Sequence, residues 1–304
     1  MAVETPDSLT SFISSVVLPS TAPNDIRGLV SKIEKKCAPE LFSRVRFTIE
    51  DFLRELHIAL IVVDFQNDFV NGSLSILNGP AQQDPQAVIP PLNKLISLDG
   101  FKMVVYTMDW HPPNHISFYD HAKDSDRVLS AQDQKRHLKA FDVVRFESPH
   151  TEQVLYPSHC VKNTWGAALH DDVKIVENAF FVEKGTDVLV DSYSGFANND
   201  GLKKSKLESM LRSERINCVI TCGLAYDICV MYTARDAAKL GFLTTVIKDC
   251  SSGLSDEKIE EANQIFAENN IAVNTESEAE LIMTSKKIPL EWISAVISQK
   301  LGIK

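Results

Sequence analysis

From residue 57 onward, short apolar runs with the texture of strands alternate with segments of helical periodicity, and this alternation restricts the chain to a fold of βα units. Strands joined through helices run parallel, and a parallel sheet is covered on both faces, so its strands read as unbroken apolar runs. The run Ala59-Leu-Ile-Val-Val63 is of that kind and predicts a buried strand over 57–65. Further strands are expected at 102–110, 173–176, 218–222 and 243–248. A helix is expected over 86–98, with Pro90-Pro91 kinking it or delaying its start. Another runs over 228–240 and closes at Gly241, and a third runs from Asp256 to about Asn269. The expected class is α/β, three layers with a mostly parallel, Rossmann-like central sheet.

The first 56 residues have a different texture. They hold amphipathic stretches at 27–36 and 49–56 but no strand pattern, which predicts a small helical appendage ahead of a main domain over 57–304. Residues 117–155 are rich in His, Asp and Lys and read as an insertion that either covers a site as a lid or is a solvated surface excursion. Near the C-terminus, Trp292, Ile293, Val296 and Ile297 recur at near-helical spacing, which suits a helical extension used for packing or a subunit contact.

Charge and cysteine usage exclude several partners. With 31 basic against 41 acidic residues the net charge is −10, which disfavours nucleic acid or an anionic membrane surface as partner. The apolar runs are too short to span a bilayer, and the polar start lacks a basic region followed by an apolar one, so a cytoplasmic location is expected, with access to the nucleus left open. Six scattered cysteines in a chain of 304 residues fit reduced thiols better than a disulfide framework.

Chemistry concentrates at the ends of the expected strands. Asp109 and His111 stand two residues apart where the 102–110 strand ends, so both side chains project the same way and can share one divalent cation. His159 offers a third ligand, and His115 a fourth or an orienting contact. Three protein ligands leave coordination positions open, as catalytic metal sites do. Asp64 ends the first strand, where parallel sheets place their active sites. Cys229 follows a strand in the first turn of a helix, a position expected to lower a thiol pKa into the range of roughly 3.5 to 7.5, although an isolated cysteine before an apolar run is ordinarily a small core residue. Lys184 precedes Gly185, and its apolar approach over 179–182 would carry it inward.

Taken in order, Asp64-Phe-Gln-Asn-Asp-Phe, Asp109-Trp-His-Pro-Pro-Asn-His-Ile-Ser-Phe, Pro157-Ser-His-Cys, Lys184-Gly-Thr-Asp and Gly223-Leu-Ala-Tyr-Asp-Ile-Cys-Val resemble the motifs of the nicotinamidases, a group of the isochorismatase-like cysteine hydrolases. The resemblance covers about residues 58–275. It implies a catalytic triad of Asp64, Lys184 and Cys229, and a metal held by Asp109, His111 and His159. It also implies a cis peptide between Leu224 and Ala225, with the N–H groups of Ala225 and Cys229 as oxyanion hole. Phe69, Gln66, Tyr156 and Leu224 would meet the substrate, Tyr156 standing where the family often has Trp. The implied reaction converts nicotinamide and water to nicotinate and ammonia through a thioester, feeding NAD salvage. The ion is expected to be zinc, with iron or manganese as alternatives, and the assembly a homo-oligomer. Two other readings stand beside this one: a superfamily hydrolase acting on a ureido or carbamoyl amide, and a non-catalytic binding protein on the same fold. Relatives of the first kind commonly lack the Asp-x-His and distal His ligands. The N-terminal segment lies where animal nicotinamidases carry an EF-hand-like region, but no calcium-ligand loop precedes residue 57, so such a fold would be degenerate.

Overall fold

The structure, a computed structural model, describes residues 5–36 and 41–303. Three helices come first: α1 (Pro6–Val16), α2 (Pro23–Lys36) and α3 (Leu41–Arg54). Each is amphipathic, and the buried side includes Leu9, Ile13, Ile33, Val45 and Ile49. The first strand, β1 (Ile58–Val63), is buried at all its positions. After it come the helical turn α4 (Asn67–Val70), the helix α5 (Ile89–Ile96) and the strand β2 (Met103–Asp109). Pro90 and Pro91 occupy the opening turn of α5, where a missing N–H costs nothing, so the helix starts late instead of kinking.

Residues 128–154 carry the strands β3 (Val128–Leu129), β4 (Val143–Ser148) and β5 (His150–Val154), which pair antiparallel into a separate small sheet. This insertion has its own apolar cluster around Ile116, Leu129, Val144 and Phe146. Most of its charged residues lie outward, but Asp133 is buried, where it accepts from Ser130 Oγ and the Arg145 N–H.

The strand expected at 173–176 does not form; that segment is irregular, and the sheet partner of β2 is β6 (Phe180–Lys184). Val173 is buried and Val176 packs against the core, so their apolar character serves side-chain packing without a backbone ladder. The rest is α6 (Leu207–Ser213), β7 (Cys218–Leu224), a π-turn at Tyr226–Val230 continued by α7 (Met231–Lys239), β8 (Leu243–Ser252), α8 (Asp256–Glu268), β9 (Ala272–Asn274), α9 (Glu276–Ser285) and α10 (Leu290–Leu301).

The main sheet has the order β6-β2-β1-β7-β8-β9, and its pairings are parallel throughout. From β1 the chain moves outward on one side to β2 and returns on the other to β7, so the order reverses between β1 and β7. A crevice forms beyond the carboxyl ends of the strands at such a point. At the same end, Gly223 has φ +120° and a Cβ there would lie 2.1 Å from the Val63 carbonyl oxygen, so only glycine lets β7 approach β1 this closely.

On the far side, α10 joins the N-terminal helices to the sheet. Trp292 is fully buried and its indole N–H donates to Thr244 O on β8 at 3.0 Å. Leu18 N–H donates to Ile288 O, and Ile288 N–H to Val16 O, at 3.1 and 2.9 Å. The helices α1, α2 and α3 thus share one continuous apolar cluster with α10, α5 and the strands.

Candidate active site

Four strand ends deliver the polar residues. Asp64 follows β1 with φ +45°, a conformation that costs energy for a non-glycine residue and persists only where its surroundings hold it. Its N–H still donates to Thr107 O at 3.1 Å, and Thr107 Oγ1 donates to its Oδ1 at 2.7 Å. Its Oδ2 makes no such hydrogen bond but lies 2.8 Å from Lys184 Nζ, and the Cys229 sulfur lies within 4.8 Å of the same carboxylate.

Lys184, at the end of β6, is the hub. Its ammonium is 2.5 Å from Asp109 Oδ1, 2.9 Å from Ser192 O and 3.4 Å from Cys229 Sγ, and it is buried. Burial alone would strip its proton, but Asp109 and Asp64 outweigh that and hold it charged. Burial pushes Asp64 up to about 6 against the opposing pull of Lys184. Asp109 is held well below the usual carboxylate range: its burial cost is exceeded by Lys184 and His111. The two acids sit on one lysine yet behave differently, one poised to take a proton near neutrality and one permanently ionised.

Cys229 lies in the π-turn after β7, with the Leu224–Ala225 peptide cis. The expected lowering of its pKa is not what the surroundings produce. Burial pushes the thiol up, Lys184 opposes this, and the carboxylates of Asp64 and Asp109 push it further up. These surroundings favour a thiol close to a base over a preformed thiolate.

Beside this trio, Asp109, His111 and His159 place ligand atoms within 4.8 Å of one another. His111 Nδ1–H donates to Gly185 O and His159 Nδ1–H to Pro157 O, both at 2.8 Å. Each backbone carbonyl fixes a tautomer whose Nε2 lone pair is free, which is how imidazole ligands are oriented toward an ion. Asp109 gives Oδ1 to Lys184 and keeps Oδ2, 3.6 Å from His111 Nε2. Two imidazole nitrogens and one carboxylate oxygen, turned toward one another, suit a divalent transition metal. Gly185 makes this packing feasible, since a Cβ there would sit 2.3 Å from His111 Cε1. His115 stacks on His111 at a centroid distance of 4.0 Å. With His111 and Asp191 it forms a second group of ligand-type atoms. Its own nitrogens, however, face Ser117 Oγ at 2.7 Å and Val190 O at 3.4 Å, so it backs His111 and does not extend the ligand set.

The residues after Asp64 do structural work that spacing did not reveal. Gln66 donates from Nε2 to Asp109 O and Ala167 O, and its Oε1 accepts the Asp109 N–H, all at 2.8 Å. Asn67 Nδ2 donates to Trp165 O at 2.8 Å, and Asp68 accepts the Cys160 N–H at 2.7 Å. Three successive polar side chains therefore staple β2 and the 159–168 segment to the end of β1, fixing both His ligands. Gln66 and Leu224, expected at the substrate, are fully buried and stand back from the cavity. Phe69 and Tyr156 do line it, their rings 5.5 and 5.6 Å from that of His159. Asp191, Tyr193, Leu74, Ile76, Ile228 and Leu254 complete the wall and were not singled out in sequence. The cavity holds about 30 Å³, enough for a water or so.

The isochorismatase domain model matches residues 58–278. The chain belongs to the isochorismatase family. Its relatives include a nicotinamidase of Acinetobacter baylyi, 36% identical over 196 residues that cover 64% of this chain and 81% of the relative. A nicotinamidase of Saccharomyces cerevisiae is 33% identical over 230 residues, covering 70% of this chain and 97% of the relative. Among solved structures, the pyrazinamidase of Pyrococcus horikoshii in complex with zinc superposes with a TM-score of 0.55 at 29% identity, over 72% of this chain and 99% of that one. Within this family member, the matched region contains the whole cavity, while α10 and α1 to α3 lie outside it.

Proposed function

We propose that this isochorismatase-family chain is a nicotinamidase, a metal-dependent cysteine amidohydrolase that converts nicotinamide and water to nicotinate and ammonia. One observation carries the reading: a thiol, a base with pKa near neutrality and an ammonium form one cluster, and a free Asp/His/His ligand set shares Asp109 with it. The nicotinamidase relatives and the zinc-bound pyrazinamidase support it. When bound, the ion would be held by Asp109, His111 and His159 and would supply a Lewis-acidic position able to take a ring nitrogen. Zinc is our choice, because the donor set suits it and the Pyrococcus horikoshii protein was solved with it.

The chain's own residues account for the bond changes. Asp64 takes the proton from Cys229 as the sulfur attacks the carboxamide carbon, so charge is never developed on an unassisted thiol. The ammonium of Lys184 offsets the carboxylates around the reacting sulfur. The N–H groups of Ala225 and Cys229 would hold the oxyanion. Asp64 returns its proton to the leaving ammonia, then as a carboxylate takes a proton from the water that opens the thioester. Phe69 and Tyr156 bracket the ring, which orients the amide toward the sulfur.

We assign residues 1–56 and 57–304 as helical appendage and hydrolase domain, and expect a cytoplasmic homo-oligomer. The exposed aromatic pair Phe180 and Phe181 on edge strand β6 supports self-association. No described helix is long and apolar enough to cross a membrane. The proposal is tested by following nicotinate formation and bound metal in His111→Ala and His159→Ala. Both should lose metal and activity together; variants that keep full metal content would refute the ligand set.

A further inference from the structure

The catalytic cavity, at about 30 Å³, is far below the several hundred Å³ usual for a site that encloses a ring-sized ligand. Some part of its wall must therefore move for a pyridine amide to enter. A second, larger groove of about 680 Å³ lies against the same wall, and Asp191 and Tyr193 line both spaces. Two other surface cavities, one around His137 and one around Asn263, share no residue with the catalytic cavity. Among the described residues, Asp191 and Tyr193 stand between the cavity and a groove wide enough for the substrate.

Of the two shared residues, Asp191 is fixed. It is buried, accepts the Ser192 N–H at 2.7 Å and the Gln153 amide at 2.9 Å. Tyr193 is half-buried, as a side chain with a cavity on each side must be, and its ring leans on Tyr232 on the outer side at 5.2 Å. It stands in an irregular segment between β6 and α6. Its ring is held through the hydroxyl, which lies 3.5 Å from Gln153 Nε2 and interacts with the Tyr156 hydroxyl. A side chain held at its tip by one long hydrogen bond can swing by rotamer change while the backbone stays in place. Gln153 belongs to β5, so the inserted sheet contributes the group that holds the ring closed.

We propose that the groove is the path by which a neutral ring amide reaches Cys229, and that Tyr193, positioned by Gln153, governs passage. The inference rests on the nicotinamidase reading for the identity of the amide, but its test does not need turnover. Cys229 is labelled in the metal-loaded protein with iodoacetamide, a small reagent, and with N-phenylmaleimide, a ring-sized one, and the modified peptide is quantified by mass spectrometry. Tyr193→Ala should raise the N-phenylmaleimide rate relative to iodoacetamide by roughly an order of magnitude, and Ala197→Trp, which fills the groove, should lower it. Tyr193→Phe keeps the ring and releases the hydroxyl, so it should give a smaller rise and decides the matter if the alanine variant fails to fold. Gln153→Leu, which removes the amide that donates to the Tyr193 hydroxyl, should resemble Tyr193→Phe. In turnover, Tyr193→Phe should change KM more than kcat. A reagent ratio unchanged in the Tyr193 and Ala197 variants would overturn the path, and if labelling behaved as expected while nicotinamide was not hydrolysed, the substrate assignment would fall instead.

Discussion

The catalytic corner and the helical layer on the far side of the sheet are both buried, yet they are held together by opposite means. Around Lys184 the interior is ionic: one ammonium, two carboxylates and a thiol, each satisfied by a named partner at a set distance. Between α1, α3 and α10 it is hydrocarbon, with Trp292 the largest buried side chain and a single indole hydrogen bond to the sheet. An ionic interior gains little net stability from its charges, because desolvation offsets attraction, and it fails badly when one partner is removed. A hydrocarbon interior gains steadily from area and tolerates exchange of shape. The first region is arranged for chemistry and the second for persistence of the fold.

The contrast breaks down if stability and activity do not separate between the two. The largest effect is expected from Lys184→Met, which leaves Asp64 and Asp109 facing each other without a counter-charge. It should abolish turnover and cost about 3–5 kcal/mol of stability, read by denaturant unfolding of metal-free protein. Trp292→Ala should cost a comparable ~3–5 kcal/mol, yet leave kcat/KM of the folded fraction unchanged. Loss of activity in folded Trp292→Ala would mean that the layers are mechanically coupled. A more modest effect comes from pH. Asp64 acts as base, so kcat/KM should be level above about 6 and fall as pH drops through that value, by about tenfold per unit. A profile flat down to pH 4 would exclude Asp64 as the base. Smallest of all, Lys258→Ala removes an exposed pair with Glu261 and should move stability by less than about 0.5 kcal/mol.

The same contrast explains what the sequence disclosed. Strand ends carrying Asp64 and Asp109 were legible because a parallel sheet writes its core as apolar runs and its chemistry just beyond them, whereas the strand that delivers Lys184 was placed too early in the chain. The spacing of Asp109 and His111 placed two ligands without further knowledge. Gln66 bonds the backbone of Asp109 and Ala167, a role the motif did not disclose because it shows that a polar residue is needed, not whether it faces ligand or backbone. Asp191 and Tyr193 sit in Asp-Ser-Tyr-Ser-Gly-Phe, which has no periodicity, and they matter only because tertiary packing brings that segment against Tyr156 and Gln153. The strand placed at 173–176 failed for a related reason: Val173 and Val176 are apolar for packing, and periodicity cannot tell that from a ladder. The amphipathic faces of α2 and α3 were visible in sequence, but α10, against which α3 packs, lies more than two hundred residues away in the chain.

The central claim is that metal and thiol act at one site on a ring amide, and the direct measurement is ammonia release from nicotinamide. Purified protein would be assayed as isolated, after chelation and after zinc is restored, beside Cys229→Ala. The account predicts activity that disappears on chelation, returns with metal and is lower by at least about 10⁴-fold in a Cys229→Ala protein of unchanged melting temperature. Near-normal ammonia release from folded Cys229→Ala, or full activity without metal, would contradict it.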